Sequence, residues 1–145
     1  MLRHSPTRQA HTAMKLASLR LIARDIRAVV GFYENVTGYT AEWLAPVFAE
    51  VVTPGATLAI GSLETVHLFK PDTLEAGANR TAVIEFQVDD VQAAFDRLQH
   101  EVEVVLAPKL MPWGNLTAQF RDPEGNLVAL YTPVTEDARR RFGGR

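Results

Sequence analysis

The sequence of 145 residues predicts a single α+β domain built from two halves of the same order, each a strand, a helix and three further strands. A short apolar strand that leads into an Asp, which then opens a helix, occurs around Asp25 and again around Asp90. The offset stays constant beyond the Asp, since the apolar helix position Val30 corresponds to Phe95. Two such units in one small domain usually pack about a pseudo-twofold axis, so a cleft on that axis is where function is expected.

The composition is that of an ordinary globular chain, with 47% hydrophobic and 22% charged residues. This length supports one good core and is too short for two comfortable domains. A net charge of −2 gives no overall attraction to phosphate backbones, and no run approaches the roughly 20 apolar residues that span a bilayer. We therefore expect neither nucleic acid nor a membrane as a partner. The absence of cysteine excludes thiolate metal sites and Cys nucleophiles and fits a cytoplasmic protein.

Composition shifts along the chain suggest its boundaries. The first residues carry basic side chains without the apolar segment of a signal peptide, and the last ones are rich in Arg and Gly. We expect a disordered leader at 1–13, one domain at 14–134 and a flexible basic tail at 135–145. The domain is expected to consist of a first module at 14–71, a linker at 72–80 and a second module at 81–134.

The first strand and helix are the most strongly patterned elements of the first module. Alternating side chains predict a strand over 15–23, and Asp25 follows it as an N-cap. The next apolar residues repeat at the i, i+3, i+4, i+7 spacing of one helical face: Ile26, Val29, Val30, Tyr33 and Val36. Gly38 then supplies the left-handed residue that commonly ends a helix.

The rest of the first module is predicted to be β-structure. Residues 39–53 favour strands but contain Pro46, which cannot donate a hydrogen bond to a sheet, so we expect two short strands or one bent strand. Further strands are expected over 57–61 and 65–69.

The second module repeats this order. Its expected strands are 81–88, 101–106, 115–121 and 127–132, with a helix that begins after Asp90. Pro108 and Pro112 bracket a predicted loop, and the Asp-Pro-Glu-Gly-Asn sequence at 122–126 is typical of a β-turn.

Three further motifs fit this architecture, namely Phe-Tyr-Glu-Asn at 32–35 followed by Gly38, Pro-Trp-Gly at 112–114, and the turn at 122–126 leading into an apolar strand that ends in Tyr131. With them the chain resembles the vicinal oxygen chelate superfamily, which includes glyoxalase I, bleomycin-resistance proteins and extradiol dioxygenases. The resemblance covers nearly all of 14–133. It implies two βαβββ modules whose curved mixed sheets form a cupped half-barrel with the helices outside. It also implies a homodimer.

In metal-using members, the resemblance implies four inward positions that hold a divalent ion, which acts as a Lewis acid. Those positions correspond here to Ser18, His67, Val83 and Ala129. Only His67 is one of the His, Glu or Gln ligands that the resemblance implies, and the aliphatic side chains of Val83 and Ala129 have no electron pairs to donate. No cofactor is therefore predicted. A divalent metal bound weakly by His67 and Glu85 is the alternative.

The constant offset between the two modules also makes Arg20 of the first module equivalent to Glu85 of the second. Both side chains face the cleft if Ser18 does. They either form an ion pair between the central strands, or Arg20 binds a ligand carboxylate while Glu85 orients it or acts as a base. His67 is either a wall residue or a second catalytic candidate, and Trp113 either closes over the cleft or anchors its own loop. The predicted ligand-binding residues are Arg20, Trp43, His67, Phe69, Glu85, Gln87, Trp113 and Tyr131.

Three functions are compatible with these observations. The leading hypothesis is a protein that binds a small, partly apolar molecule in the cleft without the standard metal, as the bleomycin-resistance branch does by sequestration. The alternative is a metal-dependent or metal-free lyase, isomerase or dioxygenase of glyoxalase type that uses His67 and Glu85. The third is a protein–protein role, with the cleft filled by the chain's own side chains.

Overall fold

The computed structural model describes the backbone of residues 13–143 and the side chains of residues 13–141, so the predicted leader lies almost wholly outside the described residues. The first module contains β1 (Ser18–Ala23), α1 (Ile26–Thr37), β2 (Glu42–Ala45), β3 (Phe48–Val52) and β4 (Thr57–Ser62), followed by a 3₁₀ helix (Leu63–Leu68). The second contains β5 (Val83–Gln87), α2 (Val91–Leu98), β6 (Glu103–Leu110), β7 (Asn115–Arg121) and β8 (Leu127–Pro133), followed by α3 (Glu136–Gly143).

The two modules have the same strand arrangement. The first sheet has the order β1-β4-β3-β2 and the second the order β5-β8-β7-β6. In each, the strand before the helix pairs in parallel with the last strand of the module, and the other pairs are antiparallel. The predicted α+β class with two βαβββ modules is confirmed.

The helices α1 and α2 begin as the sequence predicts. The Asp25 carboxylate accepts a hydrogen bond from the Ala28 backbone N–H, and Asp90 accepts one from Ala93 in the same way. Each bond satisfies one of the free N–H groups of a helix N-terminus. Gly38 ends α1 with a φ of 78°, in the left-handed region that glycine adopts without strain.

The hydrophobic core joins the two modules. One cluster combines residues of the first module, such as Val29 and Tyr33 of α1, with Ile84 and Val128 of the second. A second cluster places Val36 of α1 among buried side chains of α2, β7 and β8. The first helix therefore packs against both modules and fixes their relative position.

A buried polar cluster reinforces this junction. The Tyr33 hydroxyl donates a hydrogen bond of 2.6 Å to Asp122 Oδ2, and that oxygen also accepts one from Asn126 Nδ2. The other carboxylate oxygen accepts the backbone N–H groups of Glu124 and Asn126. Burial raises the pKa of the Tyr33 hydroxyl far above its ordinary value, and the negative charge of Asp122 and the hydrogen bond to it act in the same direction. The Asp-Pro-Glu-Gly-Asn turn is thus tied to α1.

Two local predictions are wrong. Residues 65–69 do not form a strand, because the chain turns into the 3₁₀ helix, where the Thr65 hydroxyl donates to the Ser62 carbonyl. Such side-chain hydrogen bonds offer the backbone an alternative to a sheet. Pro108 lies within β6 rather than in a loop, at an irregularity of the register. It is tolerated because β6 is the edge strand of its sheet.

The predicted flexible tail is instead helical over Glu136–Gly143. Thr135 Oγ1 accepts a hydrogen bond from the Ala138 backbone N–H, and acidic side chains in the first turn and basic ones in the last complement the helix dipole. Ala138 is fully buried. It packs against Gly114, which has a φ of 94° and no room for a side chain beside Thr135 and Ala138. This contact fixes α3 to the loop between β6 and β7.

Candidate functional site

A cavity of about 790 Å³ lies between the two modules. From the first module it is lined by Leu16, Leu19, Val36, Thr37, Tyr39 and residues 53–58. From the second it is lined by residues 83–89, Leu130 and Tyr131. The lining is thus mainly apolar and aromatic, with a few polar side chains.

The strand β5 contributes its whole length to the cavity because it is the edge strand of its sheet. The strand β1 is the edge strand of the other sheet, and it contributes Leu19, whose register partner on β4 is Leu58. The turn that precedes β4, at 53–57, forms another part of the wall. The site is therefore built where the two sheet edges approach each other.

Three of the eight predicted ligand-binding residues line this cavity, namely Glu85, Gln87 and Tyr131. In the sheet register, Glu85 lies beside Ala129 and Gln87 beside Tyr131. The Glu85 side chain makes no hydrogen bond or ion pair with another described residue. Its carboxylate therefore faces the cavity without a protein partner in the described part of the chain.

Arg20, His67 and Phe69 lie elsewhere. Leu21 of β1 packs against α1, and Arg20, its neighbour in the strand, points to the opposite side. The Arg20 guanidinium lies 4.7 Å from the centroid of the Phe69 ring. His67 is an exposed residue of the 3₁₀ helix rather than a wall residue of a strand. Among residues 13–141, Arg20 forms no ion pair with Glu85, so the predicted structural pair is wrong.

The two tryptophans do not line the cavity either. Trp43 is the register partner of the buried Ala49 and lies 5.7 Å from the Arg27 guanidinium of α1, which places it on the helix side of its sheet. Trp113 is 57% exposed, and its backbone carbonyl accepts a hydrogen bond from Arg141. Trp113 therefore neither closes over this cavity nor is buried as an anchor of its own loop.

The four positions that the resemblance assigns to metal ligands do not form a donor set. Val83 lines the cavity with an aliphatic side chain, and Ala129 is fully buried with only a methyl group. Within residues 13–143 there is no group of three His, Cys, Asp or Glu side chains that could hold a metal ion. The donor chemistry at these positions does not fit the metal of the resembled enzymes.

Sequence reasoning missed several residues of the cavity. The sequence patterns indicate no site role for Tyr39, for the turn at 53–57 or for Asp89, although all of them line the cavity. A signal for Asp89 was present, since only one Asp of an adjacent pair can occupy the N-cap position. Asp90 caps α2, and Asp89 lines the cavity.

No helix in the described part of the chain combines the length and the apolar character needed to cross a membrane.

Comparison with known proteins agrees with this architecture. The family model of the Glyoxalase/Bleomycin resistance protein/Dioxygenase superfamily matches residues 8–130. The Bacillus subtilis (strain 168) protein named "Uncharacterized protein YraH" is 29% identical over 126 residues, which cover 81% of this chain and 98% of that protein.

Two solved structures are similar in fold. One is a glyoxalase/bleomycin resistance protein/dioxygenase family enzyme from Burkholderia phytofirmans PsJN, with a TM-score of 0.73, 21% identity and coverage of 83% of this chain and 100% of that one. The other is a glyoxalase/bleomycin resistance protein/dioxygenase from Nocardioides, with a TM-score of 0.71, 24% identity and coverage of 86% and 87%. With the family match over residues 8–130, the chain belongs to the glyoxalase/bleomycin resistance protein/dioxygenase superfamily.

Proposed function

We propose that this protein binds a small, partly apolar molecule in the cavity between its modules, without the metal site of the metal-using members of its superfamily. The observation that carries the proposal is the cavity. Its volume of about 790 Å³ is in the range of small-molecule sites, and its mainly apolar lining with a few polar groups is typical of them. An open cavity at this junction also argues against a cleft filled by the chain's own side chains.

The metal-independent part of the proposal rests on donor chemistry. Of the four superfamily positions, two carry aliphatic side chains, and His67 is on the surface of the 3₁₀ helix. A site made of His67 and Glu85 alone would have two protein ligands, fewer than the three that catalytic zinc usually keeps. Elemental analysis after dialysis tests this part. Stoichiometric Ni, Zn, Fe or Mn in the purified protein would overturn it.

Binding in the cavity can be measured with N-phenylnaphthylamine, a neutral probe that fluoresces in apolar surroundings. Val83 lines the cavity and is 42% exposed, so Val83→Trp should fill part of the space and weaken probe binding about tenfold or more. Val104 is 39% exposed on the edge strand β6 and does not line the cavity, so Val104→Trp is the matched control. Equal probe binding by wild type and both variants would refute the cavity as the binding site.

A second candidate function is proton-transfer chemistry of lyase or isomerase type. It is favoured by the Glu85 carboxylate, which faces the cavity without a described partner and is therefore free to act as a general base. The test is exchange of the α-protons of phenylacetone with deuterium, followed by NMR. Exchange above the buffer rate that is lost in Glu85→Gln would support an enzyme. No acceleration by the wild-type protein would leave binding as the function.

We also propose a homodimer. Large apolar side chains are exposed in the described chain, with Leu68 at 76% and Phe69 at 70% exposure, and a second copy is a suitable cover for them. Light scattering should give twice the chain mass. A monomeric mass at micromolar concentration would contradict this proposal.

A further inference from the structure

We infer that the molecule bound in the cavity carries a positive charge, as an organic ammonium group attached to an apolar or aromatic body. This inference rests on the proposed binding function and names the chemical class of its ligand.

Among residues 13–141, the two charged side chains that line the cavity are both acidic. Glu85 lies near the middle of the β5 wall, and Asp89 lies just beyond the end of that strand. No Lys, Arg or His among residues 13–141 lines the cavity. A concave site with charges of one sign attracts ligands of the opposite sign. An anionic ligand would meet two carboxylates there without a compensating cation from the described residues.

The Glu85 carboxylate is available to such a ligand. Its neighbour in the sheet register, Ala129, has a methyl group that can neither donate a hydrogen bond nor offer a charge. The side chains of Glu85 and Asp89 form no ion pair or hydrogen bond with other described residues. An ammonium group supplies the N–H donors that a carboxylate accepts, and such charge-assisted hydrogen bonds are stronger than neutral ones.

The aromatic residues in the wall favour the same ligand class. Tyr39, Phe86 and Tyr131 all line the cavity. The face of an aromatic ring attracts cations, and its apolar surface also packs against the hydrophobic part of a ligand. An apolar body with an ammonium group thus matches both features of the lining.

The test uses three probes that share a phenylbutyl body and differ in the terminal group: phenylbutylammonium, phenylbutanol and phenylpentanoate. Each is titrated against the full-length protein by displacement of N-phenylnaphthylamine. We expect the ammonium to bind about tenfold more tightly than the alcohol, and the carboxylate more weakly than either. The preference should shrink as salt is added, because exposed charges are screened.

Two variants locate the effect. Glu85→Gln keeps the side-chain size and removes the charge, so it should lower the affinity for phenylbutylammonium about tenfold and leave the affinity for phenylbutanol unchanged. Glu103→Gln is the matched control, since Glu103 is an exposed residue of β6 in the same sheet and does not line the cavity. It should change neither affinity.

The outcomes separate this inference from the proposed function. Equal binding of the three probes, tighter binding of phenylpentanoate, or an unchanged ammonium affinity in Glu85→Gln would overturn the inference while cavity binding stands. Failure of N-phenylnaphthylamine and all three probes to bind would overturn both.

Discussion

Replacing Tyr33 by Phe removes one hydroxyl from the polar cluster that ties α1 to the second module. Tyr33 is fully buried, and Asp122, which accepts its hydrogen bond, is 4% exposed. The carboxylate keeps three other donors, two from backbone N–H groups and one from the Asn126 side chain. The variant should therefore fold, with a lower free energy of unfolding.

The size of the effect follows from the charge of the acceptor. A hydrogen bond to a charged group contributes about 1.5–3 kcal/mol, so we expect Tyr33→Phe to lower the free energy of unfolding by about 2 kcal/mol. For a chain of this length, that corresponds to a decrease in Tm of roughly 5 °C. Asp122→Asn should be more damaging, because an amide NH₂ would be placed among hydrogen-bond donors.

Urea unfolding followed by circular dichroism measures the change. Tyr39→Phe is the control, since Tyr39 is 43% exposed and its hydroxyl makes no hydrogen bond to another described residue. It should change stability by less than about 0.5 kcal/mol. The double variant of Tyr33→Phe with Asp122→Asn should lose less than the sum of the two single variants. A loss below about 0.5 kcal/mol in Tyr33→Phe, or full additivity in the double variant, would refute the reasoning.

Three further predictions concern the same framework. Above about pH 10 the tyrosine at position 33 ionises in the unfolded chain, whereas in the folded protein its raised pKa keeps it protonated. The free energy of unfolding of the wild type should therefore fall by up to about 1.4 kcal/mol per pH unit more than that of Tyr33→Phe. Parallel pH profiles of the two proteins would contradict this. Asp25→Ala and Asp90→Ala should each lower the free energy of unfolding by about 1 kcal/mol in urea titrations, and no loss would argue against the caps. Gly114→Ala should speed amide hydrogen exchange in α3. Gly125→Ala is the control and should leave α3 protected, because Gly125 also has a positive φ but lies in open space. Equal protection of α3 in both variants would refute its packing on the loop.

The sequence predicted most of the secondary structure because its signals are local. The caps at Asp25 and Asp90 and the stop at Gly38 occur where the structure has them. The prediction failed at the 3₁₀ helix and at α3. In the 3₁₀ helix, the hydrogen bond of the Thr65 hydroxyl competes with strand pairing. In α3, the burial of Ala138 depends on its contact with Gly114, which lies far away in the sequence.

The candidate site was predicted less well, because the face of a strand that meets a cavity depends on long-range packing. Alternation showed that Ser18 and Arg20 share one face of β1, but it could not show that Leu19 would be the residue of that strand lining the cavity. On β5, an edge strand, residues from both faces are accessible, so Glu85 and Gln87 reach the cavity.

The sequence by itself determined the two-module architecture, the helix caps, and the noncoordinating side chains at Val83 and Ala129, because periodicity and residue chemistry are properties of the chain. Only the tertiary structure decided where the cavity lies, that Arg20 and Glu85 are not paired, and that Tyr33 meets Asp122. These depend on how α1 packs against both modules, which brings together residues far apart in sequence.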